Sequence, residues 1–237
     1  MSVLAVAVLV WTVVQVVVRD GGSDSDESSP EAGDQPVEET TAGLSAARPG
    51  PLSTLEQGRI GLPAATELGP GGVPTGFPDS PEGALAQLAA IDQTALAGAS
   101  LPAAQVIAKE WIAPGGPDAN DWSVVRALDE MLTASGQPGA GSDLRLTVEP
   151  TMGAFRNDGT LTASADDPSA PIACVDFVVS LTTSSTDQIA AADCQRMTRT
   201  GSRWVIATGP EEPAPASLWP GSAESVEAGW SWLEVTS

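Results

Sequence analysis

The chain contains no histidine and no tyrosine, and Lys109 is its only lysine. Without histidine it lacks the commonest general base and the commonest zinc ligand. Ten Lys plus Arg stand against 31 Asp plus Glu, a formal net charge of −21 over 237 residues. That field repels phosphate backbones, so direct nucleic-acid binding is not expected. The two cysteines, Cys174 and Cys194, are too few for a structural zinc site and are not spaced as a Cys-x-x-Cys redox pair. No Gly-x-Ser-x-Gly elbow occurs. "GPGGVPTG" lacks both the Gly-Lys-Ser/Thr ending of a phosphate loop and the strand that precedes a dinucleotide fingerprint. "DSDES" lacks the glycine and terminal glutamate of a calcium loop. No cofactor and no metal are expected.

What is present divides the chain into three parts. Ser2 to Val18 carries no charge. As a helix it would be about 25 Å long, at the short limit for a bilayer core of about 30 Å. It has neither the basic start nor the A-x-A end of a signal peptide. Residues 1–19 are therefore read as a transmembrane anchor. Arg19, read literally by the positive-inside rule, leaves the bulk of the chain in the cytoplasm, and the dense acid after it points the other way. A true start codon upstream, supplying a basic segment, would reconcile the two.

Residues 20–76 form the second part. Asp20 to Pro51 is acidic and rich in Ser, Pro and Gly, with too little apolar surface to offset chain entropy, and reads as a disordered linker. Leu52 to Gly76 reads as an extended segment on the domain surface.

Residues 77–237 carry the folded domain, about 160 residues and enough for a proper core. Asp79 or Ser80 can cap a first helix that has Pro81 and Glu82 in its first turn. Ala84, Leu85, Leu88, Ile91 and Ala95 recur at helical spacing. A second helix fits Pro102 to Ala113, and a third starts at Asn120 or Asp121. After Ser142 the period changes to strand grammar in "LRLTVEP", "GTLTASA", "IACVDFVVSLTTS", "QIAAADCQRMTRT" and "RWVIATG", the last two pairing across "TGS". A Trp-Pro-Gly turn and a short helix from about Ala223 close the chain. Helices followed by an antiparallel sheet predict an α+β fold.

Cys174 and Cys194 fall in successive predicted strands and can reach bridging distance if those strands are neighbours. Two buried reduced thiols are the alternative. An anchored, extracytoplasmic location favours the disulfide. Trp204, Trp219, Trp230 and Trp232 lie late in the chain. The C-terminal segment is expected to cover the open face of the sheet, with Trp219, Trp230 and Trp232 as the alternative of an exposed interaction surface. Asp92 falls near the apolar stripe of the first helix, and Asp176 alternates with Cys174 and so can share its face. If both entered the sheet's concave face they would form the acid/base pair of a small isomerase or dehydratase. Glu110 and the pair Asp129–Glu130 read as exposed helix faces. Asp166–Asp167 and Glu211–Glu212 read as loop residues without the fixed spacing that acid/base work needs.

"GVPTGFPDSPEGALAQLAAID", "CVDFVVSLTTS", "DCQRMTRTGSRWVIATGPE" and "SLWPGSAESVEAGW" resemble a family of small single-pass actinobacterial membrane proteins. Those are encoded with conjugation-type, type IV secretion-like ATPases. The layout also resembles the TcpC-like bitopic bridge proteins of Gram-positive conjugation, from which it departs in having almost nothing before its span. The resemblance implies an outer domain of nuclear-transport-factor-2-like fold, three helices on a curved antiparallel sheet. It further implies a non-enzymatic scaffold in the cell membrane, with other transfer-apparatus proteins or further copies of itself as partners. A cell-wall-component binding protein on the same fold is a third reading, because fold alone does not decide function.

Overall fold

The computed structural model describes residues 45–134, 145–182 and 185–236. The expected transmembrane anchor and the acidic run up to Gly43 lie outside the described residues. Among the described residues no helix is long and apolar enough to cross a membrane.

Among the described residues the architecture is α+β, with three long helices, a short C-terminal helix (Ala223–Glu227) and a curved, mostly antiparallel sheet shaped as a half-barrel. Helix α1 (Pro81–Ala97) is capped by Ser80, whose hydroxyl accepts from the Gly83 amide at 3.2 Å. Pro81 stands in its first turn and Glu82 faces the positive helix end. The stripe from Ala84 to Ala95 is buried as its spacing predicts, but so are Ala86, Gln87, Ala89, Ala90 and Asp92. Small alanines let neighbours close in on several sides, so α1 is a central helix and not an amphipathic surface one. Helices α2 (Leu101–Trp111) and α3 (Ser123–Ala134) pack beside it.

The sheet strands are β1 (Arg59–Pro63), β4 (Arg145–Asn157), β5 (Thr160–Thr162), β6 (Ile172–Thr182), β7 (Thr186–Thr200), β8 (Arg203–Ile206) and β9 (Ser231–Thr236). Their order is β1-β9-β4-β6-β7-β8, with β5 on β4. The pair β1–β9 is parallel, and the other pairs are antiparallel. A short hairpin, β2 (Glu67–Leu68) with β3 (Pro74–Thr75), stands apart.

Strand β6 is apolar on both faces, so it divides the core into two clusters. Ala173, Val175, Phe177 and Val179 join the large cluster under the helices. Cys174 joins a smaller cluster on the outer face with Met152, Ala154, Ala192, Cys194 and Trp230. A bulge between Pro150 and Met152 resets the alternation of β4. Val148 before it and Phe155 after it both reach the helix-side core, while Met152 and Ala154 turn outward. At Gly153 the sheet meets α1 closely: a Cβ there would lie 3.0 Å from Leu85 and 2.6 Å from Leu233.

The segment before α1 belongs to the folded unit and does not end as a linker at Gly76. Strand β1 pairs with β9, Ile60, Leu62 and Val73 are buried, and two indoles hold the rest in place. Trp111 donates to the Pro70 carbonyl at 3.0 Å and Trp204 to the Pro78 carbonyl at 2.9 Å. Prolines supply acceptors but no N–H, so these donors come from the core.

Candidate functional site

The densest polar group among the described residues is built where α1, α3 and β7 meet. Asp92 on α1 is fully buried, and Asp193 on β7 is 7% exposed. Asp193 alternates with Gln195 and Met197, which places it on the helix side of the sheet, opposite Cys194. The third carboxyl, Glu211, comes from the segment after β8 and sits at the start of α3. It accepts from the Ser123 amide at 3.0 and 3.2 Å and from the Ser123 hydroxyl at 2.6 Å. A helix start favours an anion there. Arg126 stands 4.0 Å from it.

Gln195 joins two members of the group. Its side-chain amide donates to Asp193 at 3.1 and 3.2 Å and to Glu211 at 3.2 Å. No amide, hydroxyl or charged donor reaches either oxygen of Asp92. The charged groups that act on it are Asp193 and Glu211. Burial, then the charges of Asp193 and Glu211, raise the pKa of Asp92 well above the usual carboxylate value. Asp193 is pushed up to about 7, chiefly by burial and also by Glu211, against the opposing hydrogen bond from Gln195. Arg156 on β4 is lowered by its own burial, while Glu212 and Asp193 oppose that shift. Chemically the cluster is a set of buried acids, in which burial favours the protonated form of Asp92 and brings Asp193 to titrate near neutral pH. Among the described residues no set of three or more ligating side chains is placed to hold a metal ion.

The structure does not bring Asp92 and Asp176 together. Asp176 does share the face of Cys174, but that face is the outer one, beside Met152 on β4 and Ala192 on β7. Asp92 lies on the helix side, so the sheet separates the two acids. Both oxygens of Asp176 are buried without a donor, and burial raises its pKa well above the usual value. Asp193 lies hidden in an alanine-rich strand, and Glu211, expected as a loop residue without fixed spacing, is held in the cluster by Ser123 and Gln195. The available signal was period-two spacing, which puts Asp193 and Gln195 on one face of β7.

Cys174 and Cys194 are directly opposed across β6 and β7 and form a disulfide, with a Cα–Cα distance of 4.1 Å. The C-terminal segment covers the outer face above it. Trp230 is 2% exposed within that cluster, so it is a core residue and not part of an interaction surface. Gly221 (φ +73°) allows the Trp-Pro-Gly turn to press close, since a Cβ there would meet Trp232 at 2.6 Å and Leu52 at 3.0 Å. Trp219 and Trp232 are half-buried, and Leu52, Leu55 and Val235 are exposed.

No protein-family model, no curated protein and no solved structure matches this chain.

Proposed function

We propose that this chain is a non-enzymatic scaffold anchored in the cell membrane by residues 1–19, with its folded part outside the cytoplasm. It helps assemble a conjugative or type IV secretion-like apparatus through protein contacts. The reading takes the fold as nuclear-transport-factor-2-like, on the order of helices first and curved sheet after.

The observation that carries the non-enzymatic part is the filled interior. Trp111, Trp122, Trp204, Leu85, Leu88 and Phe155 are fully buried between the helices and the sheet, where such a fold would hold a substrate. Asp92 behind them has no exposed surface, and a general base must come within hydrogen-bond reach of its substrate. The disulfide supports an oxidising compartment. Leu52 with Trp232 offers apolar surface for a partner or a second copy. Blue-native electrophoresis of the native envelope tests this: the chain is expected in a high-mass assembly, and a free monomer alone would contradict the proposal.

The second reading, a small pocket isomerase or dehydratase, rests on Asp193 holding a pKa near 7 beside Asp92. It requires Asp92→Asn to abolish the cellular function while the fold and the assembly persist.

A further inference from the structure

The sheet ends on β1, and among the described residues no strand pairs with its outer edge. The hydrogen-bond phase shows what that edge offers. The Trp232 amide donates to the Gly58 carbonyl at 2.9 Å, and the Thr236 hydroxyl donates to the Leu62 carbonyl at 3.0 Å. Residues 58, 60 and 62 therefore face β9, and alternation turns the backbone groups of Arg59, Gly61 and Pro63 away from it. The edge presents the amides of Arg59 and Gly61 and the carbonyls of all three, since proline has no N–H.

Folded proteins blunt such an edge with a bulge, an unpaired charge or a covering segment. Strand β1 has five register pairs with β9 and no bulge. Its one charged side chain, Arg59, is paired within the chain to Glu234. Arg59 and Gly61 are exposed. Gly61 has no side chain to hold a neighbouring backbone off. Pro63 withholds an amide only at the end of the strand.

We propose that β1 is a homodimer edge, on which β1 of a second copy pairs antiparallel about a two-fold axis through Gly61. In that register Gly61 lies opposite Gly61 of the second copy, and Arg59 lies opposite Pro63 of the second copy. The two glycines exchange both their bonds, and each Arg59 amide donates to a Pro63 carbonyl. The missing N–H of Pro63 leaves only the Arg59 carbonyl without a donor, at the outer end of the pair. The same three residues thus supply donors and acceptors that meet one another, as a two-fold contact requires. Centring the pair on Ile60 would make the two Arg59 side chains diagonal neighbours on one face, and that like-charge contact disfavours it. A stable dimer buries about 1,200 Å² or more, beyond the reach of a five-residue strand. Apolar surface beside the edge supplies the rest. Trp232 is the register neighbour of Arg59, and Leu52, 67% exposed, lies with Trp232 against Gly221. The pairing names a second copy as the partner for that surface and rests on the scaffold reading only for its purpose in the cell.

The test uses the full chain, purified in detergent with its disulfide intact. Cys174 and Cys194 are bonded to each other, so one introduced cysteine is the free thiol. Hydrogen-bonded antiparallel partners stand about 5.5 Å apart at Cα, within the range of a disulfide. Under mild oxidation Gly61→Cys is expected to link into a covalent dimer about tenfold faster than Leu68→Cys, which is 76% exposed on the separate hairpin. Sedimentation velocity is expected to give a dimer for the parent chain and a monomer for Gly61→Pro, which loses an amide that faces away from β9. Arg59→Pro removes the other open amide, should Gly61→Pro not fold. Linking of Gly61→Cys no faster than Leu68→Cys, a monomeric parent chain, or a folded proline variant as dimeric as the parent overturns the proposal. None of these outcomes depends on which side of the membrane the folded part stands, so a failure here leaves the scaffold reading to its own test.

Discussion

Replacing Cys174 and Cys194 together with alanine opens a closed loop set by their separation of 20 residues. In the chain-entropy treatment such a loop restricts the unfolded chain by about 3 kcal/mol at 25 °C. A second effect adds to it. Both cysteines are fully buried against Met152, Ala154, Ala192 and Trp230, so removing two sulfur atoms leaves small voids, each costing on the order of 1 kcal/mol. Reduction alone keeps the sulfur atoms and isolates the first term. Urea unfolding followed by tryptophan fluorescence should therefore give three ordered midpoints: oxidised protein highest, reduced protein about 3 kcal/mol lower, and the double alanine variant about 2 kcal/mol lower again. For a folded unit of roughly 190 residues the first step is roughly 6–12 °C in Tm. Coincident curves for oxidised and reduced protein would refute the reasoning. So would two free thiols in protein taken from its native envelope under alkylating conditions.

The other predictions concern the buried acids and the close contact at α1. Asp193 binds its proton more tightly folded than unfolded, so its own contribution to stability should be lost as pH rises from about 4 to about 7, at about 1.4 kcal/mol per unit and about 4 kcal/mol in all, with Asp92 and Asp176, also raised by burial, adding to the fall. Asp193→Asn should reduce that slope by about 1.4 kcal/mol per unit and be the more stable form at pH 8. Denaturant curves at several pH values check both, and stability rising across this window would contradict the assignment. Asp176→Val replaces an unpartnered buried carboxyl by an apolar group and should stabilise by about 1–3 kcal/mol at pH 7; a loss of that size would mean that Asp176 has a partner. Gly153→Ala forces Leu233 and Leu85 to move and should cost about 1 kcal/mol or more, read as a lower Tm at unchanged secondary structure.

The elements most legible in the sequence were those with strong local period. Ser80 with Pro81, the stripe from Ala84 to Ala95, the apolar run of β6 and the β7–β8 hairpin all lie where spacing and turn residues place them. The expectation that the C-terminal segment covers the sheet also holds, since Trp230 closes the outer cluster. Strands β1 and β9 were not legible. They are short, their pairing joins Arg59 to Trp232, and local pattern does not encode a contact of that range. The bulge at Thr151 was hidden for a similar reason, because it shifts which residues of β4 face inward without changing their type.

The candidate site shows a subtler limit. Alternation correctly put Asp176 on the face of Cys174, yet could not say on which side of the sheet the helices lie. In β6 both faces are apolar, so the pattern carries no sign for inside and outside. Asp92 falls near the apolar stripe of its helix, where one solvated face would leave it charged. The packing of small side chains around α1 removes that face, and with it the option of a charged, solvated aspartate.

The central proposal is a scaffold whose folded part stands outside the membrane. Cys174 and Cys194 cannot report this directly, because neither has exposed surface for a reagent to reach. Val235, at 80% exposed near the end of β9, can. The measurement is labelling of a Val235→Cys variant in intact native cells with a membrane-impermeant maleimide. The account predicts labelling before lysis, with the native cysteines remaining protected as a disulfide. Labelling that occurs only after the cells are broken would place the folded part in the cytoplasm and contradict the account.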